Sequence, residues 1–349
     1  VTALGTTTVT VTEIARGRVR RTGRRRAISG GLALLVAAAY AFSLMWGQTV
    51  YSPGEVWHVI LGDVVPGASF TVGELRLPRA SLAALAGASF GLAGVTFQTM
   101  LRNPLASPDV IGISSGASAA AVVGIVVLSV GETAVSLLAI TAALATALLI
   151  YVLSFRDGVV GTRLILIGIG IAAMLESVVS YLLMRAAAWD VQTAMRWLAG
   201  SLNGATWGTI TPLVVAFAVA VPVLLSRSRH LDLMQLGEDA ATALGVRTER
   251  TRIVVIVASV ALIAFATAAS GPIAFVAFLS GPIAARIVGP GGSLMVPSAL
   301  VGALLVLLAD LAGQYAFGTR YPVGVVTGVL GAPYLVYLLI RTNQSGGSL

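Results

Sequence analysis

Ten apolar runs, each close to the roughly 20 residues an α-helix needs to cross a bilayer, dominate this chain of 349 residues. They fall at about 28–46, 80–101, 110–129, 133–154, 163–184, 207–225, 252–270, 272–289, 294–312 and 323–340. Only 10% of the residues are charged, where a soluble domain carries roughly a quarter, and mean hydropathy is +0.94. Lipid is therefore the solvent for most of the chain. The expected fold is all-α: a polytopic membrane protein with about ten transmembrane helices, multi-pass in the cell membrane. The eighth run is the most interrupted, because Pro272 and Pro282 each remove a backbone donor.

Orientation follows from the arginines, which supply all 22 basic residues. Arg16, Arg18, Arg20, Arg21, Arg24, Arg25 and Arg26 precede the first run. With that end cytoplasmic, the inner segments hold 17 arginines and the outer ones five: Arg76, Arg79, Arg185, Arg196 and Arg320. Such an excess marks cytoplasmic loops, and an even number of spans puts both termini inside. The expected plan is an Arg-rich cytoplasmic tail at 1–27, one transmembrane domain at 28–340 and a cytoplasmic tail at 341–349. An Arg-Arg pair before an apolar run with Ala37, Ala38 and Ala39 also fits a cleaved twin-arginine signal, which would leave nine spans.

Several chemistries are excluded. The chain has no cysteine, hence no disulfide, thiol nucleophile or thiolate-bound metal. Its two histidines, His58 and His230, lie in different loops, so no metal site is expected. The arginines are not interleaved with aromatics on an amphipathic element, so nucleic acid is not an expected partner. There is no GxxxxGK[ST] phosphate loop; the GPGG at 289–292 lacks the Lys and Ser/Thr that hold phosphate and Mg²⁺. No catalytic residue is expected, and energy must come from a partner or an ion gradient. Ion-coupled carriers place several ionisable groups within the membrane. Here Glu176, about 13 residues or roughly 20 Å into the fifth span, is clear, and Asp310 lies near the outer end of the ninth.

Two polar segments stand out. LRNPLASPDVIGISSGA, 101–117, turns between the second and third spans. Pro104 stops one helix. Ser107, Pro108 and Asp109 read as the N-cap and first turn of the next. The second segment, 226–251, contains LDLMQLGEDAATALGVR. Its partly apolar face, punctuated by Gly237 and Gly245, is too short to span and too apolar for a free loop. It reads as an interfacial helix or a docking pair of short helices, with Glu238 and Asp239 near the contact.

Residues 76–117, beginning RLPRASLAAL, resemble the signature of the FecCD family, the permease subunits of type II ABC importers for ferric siderophores, haem and cobalamin. GEDAATALGV at 237–246, GPIAFVAFLSGPIAARIVGP at 271–290 and ADLAGQYAFGTRYPVGVVTGVLGAPYLVYLLI at 309–340 resemble later family segments in the same order. Ser280-Gly281-Pro282 replaces the Val-Pro-His of many members, and Arg320-Tyr321 replaces Glu-Leu; both variants resemble the actinobacterial siderophore branch.

The resemblance implies a permease subunit carrying a metal chelate, an iron-siderophore complex before cobalamin or haem. It implies a second permease subunit in a homo- or heterodimer, two ATPase subunits that bind ATP and Mg²⁺, and an extracytoplasmic binding protein, a lipoprotein. It assigns coupling to the ATPase to Gly237, Glu238, Asp239, Ala243, Leu244 and Gly245. Docking of the binding protein falls to Arg76, Arg79 and Arg320, and a cytoplasmic gate to Gly161 and Thr162. Glu176 is expected on the pathway or the subunit interface.

Overall fold

The structure is a computed structural model that describes residues 11–108, 112–154, 161–289 and 291–345. Seven of the expected spans are helices long and apolar enough to cross a membrane, and the other three are shorter apolar helices, Ile113–Val127, Val276–Val288 and Val323–Leu338. In chain order the α-helices are α1 (Val11–Met45), α2 (Pro53–Leu61), α3 (Leu77–Leu101), α4 (Ile113–Val122), α5 (Glu132–Ser154), α6 (Gly161–Arg185), α7 (Ala188–Leu198), α8 (Trp207–Met234), α9 (Glu238–Ala243), α10 (Thr248–Ser270), α11 (Val276–Val288), α12 (Met295–Tyr315) and α13 (Val323–Ser345). Wide π-helical turns at Ser69–Arg76 and Val123–Val127 extend α3 and α4. Below, the inner end is the end holding α9 and Arg102.

Three elements depart from the expected boundaries. The Arg-rich segment is helical from Val11 and continuous with the first span. The third span starts at Ile113, after Gly112 in the left-handed region (φ 90°), and among the described residues no side chain caps it. Ser107 is instead 1% exposed and packed into the protein, and Asp109 lies outside the described residues. The expected pair of short helices in 226–251 is one short helix, α9, between the ends of two long ones.

The core forms around α3, which is buried along most of its length. It packs on α12, α10 and α11, and small residues set those contacts. A Cβ at Gly87 would run into the Gly302 carbonyl, one at Gly91 into that of Ser298, and one at Gly94 into that of Ala277. Without a hydrophobic drive between helices in lipid, such backbone approach supplies the packing. The periphery is α1, α5, α6, α8 and α13, whose Leu34, Leu148, Leu166, Val215 and Val329 are exposed on the isolated chain.

Two breaks in the helical hydrogen bonding, at Pro282 and Pro272, are met from neighbouring elements. Pro282 has no N–H, so the Phe278 carbonyl one turn earlier loses its helical donor. Gln98 Nε2 donates to that carbonyl at 2.9 Å, and Gly281 leaves room for the Gln98 amide. The expected interruption at Pro272 is present too: 271–275 is non-helical, and Phe275 is left-handed (φ 64°), a conformation that is costly for a bulky residue. Such backbone is tolerated at membrane depth only when covered by protein. Here Gly200 abuts the Pro272 carbonyl, Ser201 N donates to Ser270 O at 2.7 Å, and Gly324 N donates to Gly200 O at 3.1 Å.

Candidate functional site

The inner tip is built where α8 outruns its span. Leu231, Met234, Ala241 and Val246 are buried and anchor the tip. Gly237 (φ 115°) and Gly245 (φ 83°) supply the backbone turns on either side of α9, which L-residues enter at a cost. Leu236 and Leu244 are 66% and 60% exposed, and Asp239 and Ala243 are also exposed. An apolar pair rimmed by polar groups faces away from the bundle.

Electrostatics tie this tip to the helices above it. Arg252 on α10, buried, lies 2.5 Å from Glu238 Oε1 and 3.0 Å from Glu249 Oε2. Glu249 Oε1 accepts from the Tyr151 hydroxyl of α5 at 2.8 Å. Glu238 is therefore turned toward α10, while Asp239 points outward. The Glu249/Arg252 spacing was readable as an i,i+3 pair; Tyr151 and the Glu238 contact carry no local signal. An open groove beside α9 is lined by Thr242, Gly245, Val246, Arg247, Glu249 and Ile253.

Gly161 and Thr162 open α6; their side chains, and residues 155–160 before them, lie outside the described residues. Glu176, further along α6, is exposed, as are Met174, Val178 and Tyr181. α6 packs on α4 and α5.

At the outer end, two of the arginines expected at the surface, Arg76 and Arg79, are engaged within the chain. Arg76 Nη1 donates to Leu44 O (2.9 Å) and Met45 O (3.0 Å), and its Nη2 to Thr49 O (2.6 Å). It thereby caps the C-terminus of α1 and stacks over Tyr51, 5.1 Å from the ring centre. Arg79 forks onto Asp310 of α12, with Nε–Oδ2 2.9 Å and Nη2–Oδ1 2.7 Å. It also donates to Asn203 Oδ1, and Gln314 Nε2 donates to Asp310 Oδ2 at 2.8 Å. Asp310 is 5% exposed: a buried carboxylate with a bidentate partner and a second donor. Arg320 is exposed.

Apolar helices that cross between two ends, with an exposed helical tip at one end and an interlocked outer face at the other, define a polytopic membrane protein. The profile of the FecCD transport family matches residues 34–341, and the chain belongs to that family. It is 40% identical over 319 residues to the ferric enterobactin transport system permease protein FepG of Escherichia coli K12, covering 89% of this chain and 96% of that one. It is 38% identical over 315 residues to the achromobactin transport system permease protein CbrC of Dickeya dadantii, covering 89% and 90%. The iron(3+)-hydroxamate import system permease protein FhuG of Bacillus subtilis is 34% identical over 320 residues, with 89% and 95% covered. A solved metal-chelate type ABC transporter in an inward-facing conformation superposes with a TM-score of 0.81 at 29% identity, covering 90% of this chain and 99% of that one.

Proposed function

We propose that this chain is the membrane permease subunit of an ABC importer and forms part of the pathway for a ferric siderophore complex. The observation that carries the reading is the 40% identity to a ferric enterobactin permease over nearly the whole of both chains. In this reading the chain pairs with a second permease subunit, both termini are cytoplasmic, and ATP with Mg²⁺ is bound and hydrolysed in two partner subunits. The exposed Leu244 and Ala243, with Asp239 beside them, supply the contact with the ATPase; Gly237 and Gly245 shape the tip, and Glu238 holds it to α10. The start of α6 at Gly161 and Thr162 forms the cytoplasmic constriction. The binding protein docks on the outer face around exposed Arg320, while Arg76 and Arg79 hold that face in shape. Glu176 supports the paired assembly: a carboxylate exposed midway along a membrane helix is costly in lipid, so it faces water or the second subunit.

The test is reconstitution in liposomes with the cognate ATPase and binding protein, measuring uptake of radiolabelled iron as its siderophore complex. Uptake should need ATP and all components, survive collapse of ion gradients, resist competition by cobalamin or haem, and change in rate when Glu176→Gln is introduced. Uptake driven by a proton gradient without the ATPase would replace this reading with a secondary transporter.

A further inference from the structure

The exposed side of α1 continues, beyond its apolar stretch, into the Arg-rich segment. Along its span the helix turns Ile28, Leu32, Val36, Ala39 and Tyr40 toward the protein and leaves Gly31, Leu34, Leu35, Ala38 and Phe42 exposed. Leu32 and Ile28 pack with Ala284 of α11 and Val301 of α12, which fixes the rotation of the helix. Because α1 is unbroken from Val11 to Met45, the same phase runs into the Arg-rich segment. Arg25 falls on the inward face and is half-buried. Its guanidinium donates to the carbonyls of Gly291, Gly292 and Ser293 in the α11–α12 loop. Arg20 and Arg24 fall on the outward face, one turn apart and exposed, in line with Gly31, Ala38 and Phe42.

Depth supports the same placement. The apolar stretch 27–45 covers about 28 Å at 1.5 Å per residue, close to the roughly 30 Å hydrocarbon thickness. Arg24 then lies about 4–5 Å beyond the apolar stretch and Arg20 about 10 Å beyond, within the headgroup layer. A face that meets acyl chains above meets headgroups here, and two guanidinia suit phosphate oxygens as bidentate donors.

We propose that Arg20 and Arg24 form a binding surface for anionic phospholipid headgroups in the leaflet at the N-terminal end of α1. The lipid holds α1 from outside while Arg25 holds the α11–α12 loop from inside. The surface is distinct from the tip that contacts the ATPase, and the proposal does not depend on which substrate is carried.

The experiment uses the full purified chain in detergent and measures binding of a fluorescent phosphatidylglycerol against phosphatidylcholine. With each surface arginine contributing a comparable increment, Arg20→Gln with Arg24→Gln should weaken phosphatidylglycerol binding by roughly 25-fold, about fivefold per arginine. Phosphatidylcholine binding should be unchanged. The loss should shrink as salt rises, and Arg20→Lys with Arg24→Lys should retain part of the binding, since an ammonium keeps the charge and loses the fork. Arg25→Gln serves as the control that breaks the inward tether and leaves lipid affinity in place. Equal phosphatidylglycerol affinity in the double Gln variant would overturn the proposal. So would unchanged lipid affinity with lost association to the ATPase or second permease, which would make the stripe a protein contact.

Discussion

Replacing Arg252 by Met tests whether the inner tip is held by charge. The substitution keeps much of the side-chain volume and removes the cation between Glu238 and Glu249. The Arg252 side chain is 6% exposed, whereas those of Glu238 and Glu249 are 45% and 42% exposed. Breaking a fully buried pair costs about 3–5 kcal/mol, and an exposed pair is worth about 0–1 kcal/mol. With the cation buried and both carboxylates half in water, screening brings the expected loss to about 2 kcal/mol. That corresponds to a roughly 30-fold fall in the population with α9 seated. Hydrogen exchange across 237–246 should accelerate accordingly, co-purification with the ATPase should weaken, and the membrane helices should still insert. Arg252→Lys should recover part of the effect, since one ammonium lacks the planar fork that meets two carboxylates. Glu238→Gln alone should lose less. Combined with Arg252→Met it should add little further, because the interaction is already gone. Additive effects in that cycle, or unchanged exchange in Arg252→Met, would refute an electrostatic tether and leave the buried Leu231, Met234 and Ala241 as the attachment.

Three further outcomes follow from the packing and the outer face. Gly302→Ala should force α3 and α12 apart where the new Cβ meets the Gly87 carbonyl, at about 1–3 kcal/mol, lowering the thermal midpoint in detergent; Gly208→Ala, whose Cβ has 3.8 Å to its nearest neighbour, should not. Gln98→Leu should orphan the Phe278 carbonyl at about 1–3 kcal/mol, and Pro282→Ala, which returns a helical donor, should recover much of that stability in the same assay. Arg320→Glu should reduce binding-protein affinity at low salt without changing the thermal midpoint, whereas Asp310→Asn should lower the midpoint by freeing Arg79; an unchanged affinity for Arg320→Glu would remove Arg320 from the docking surface.

The helices were legible because lipid acts on each run separately: an apolar stretch of sufficient length needs no knowledge of its neighbours. The readings that shifted are those where neighbours decide. Ser107, Pro108 and Asp109 carry a sound local capping pattern, yet the described helix begins at Ile113, after Gly112, and Ser107 is packed into the protein. Helicity from Val11 to residue 27 carries no apolar signal, although arginine is itself a good helix former. The amphipathic α7 was too short to register as a span. At the sites the limit is sharper. Gly87 and Gly91 announce a close-packing face by their spacing, but nothing local names Ser298 and Gly302 as what they meet. Arg79 and Asp310 lie 231 positions apart, and Gln98 and Phe278 lie 180 apart. A polar group within an apolar run declares that it needs a partner, since lipid offers none. The identity of that partner is set by which helices cross, and that is why Arg79 reads as a surface arginine in sequence and becomes the half-buried partner of a buried carboxylate in the fold.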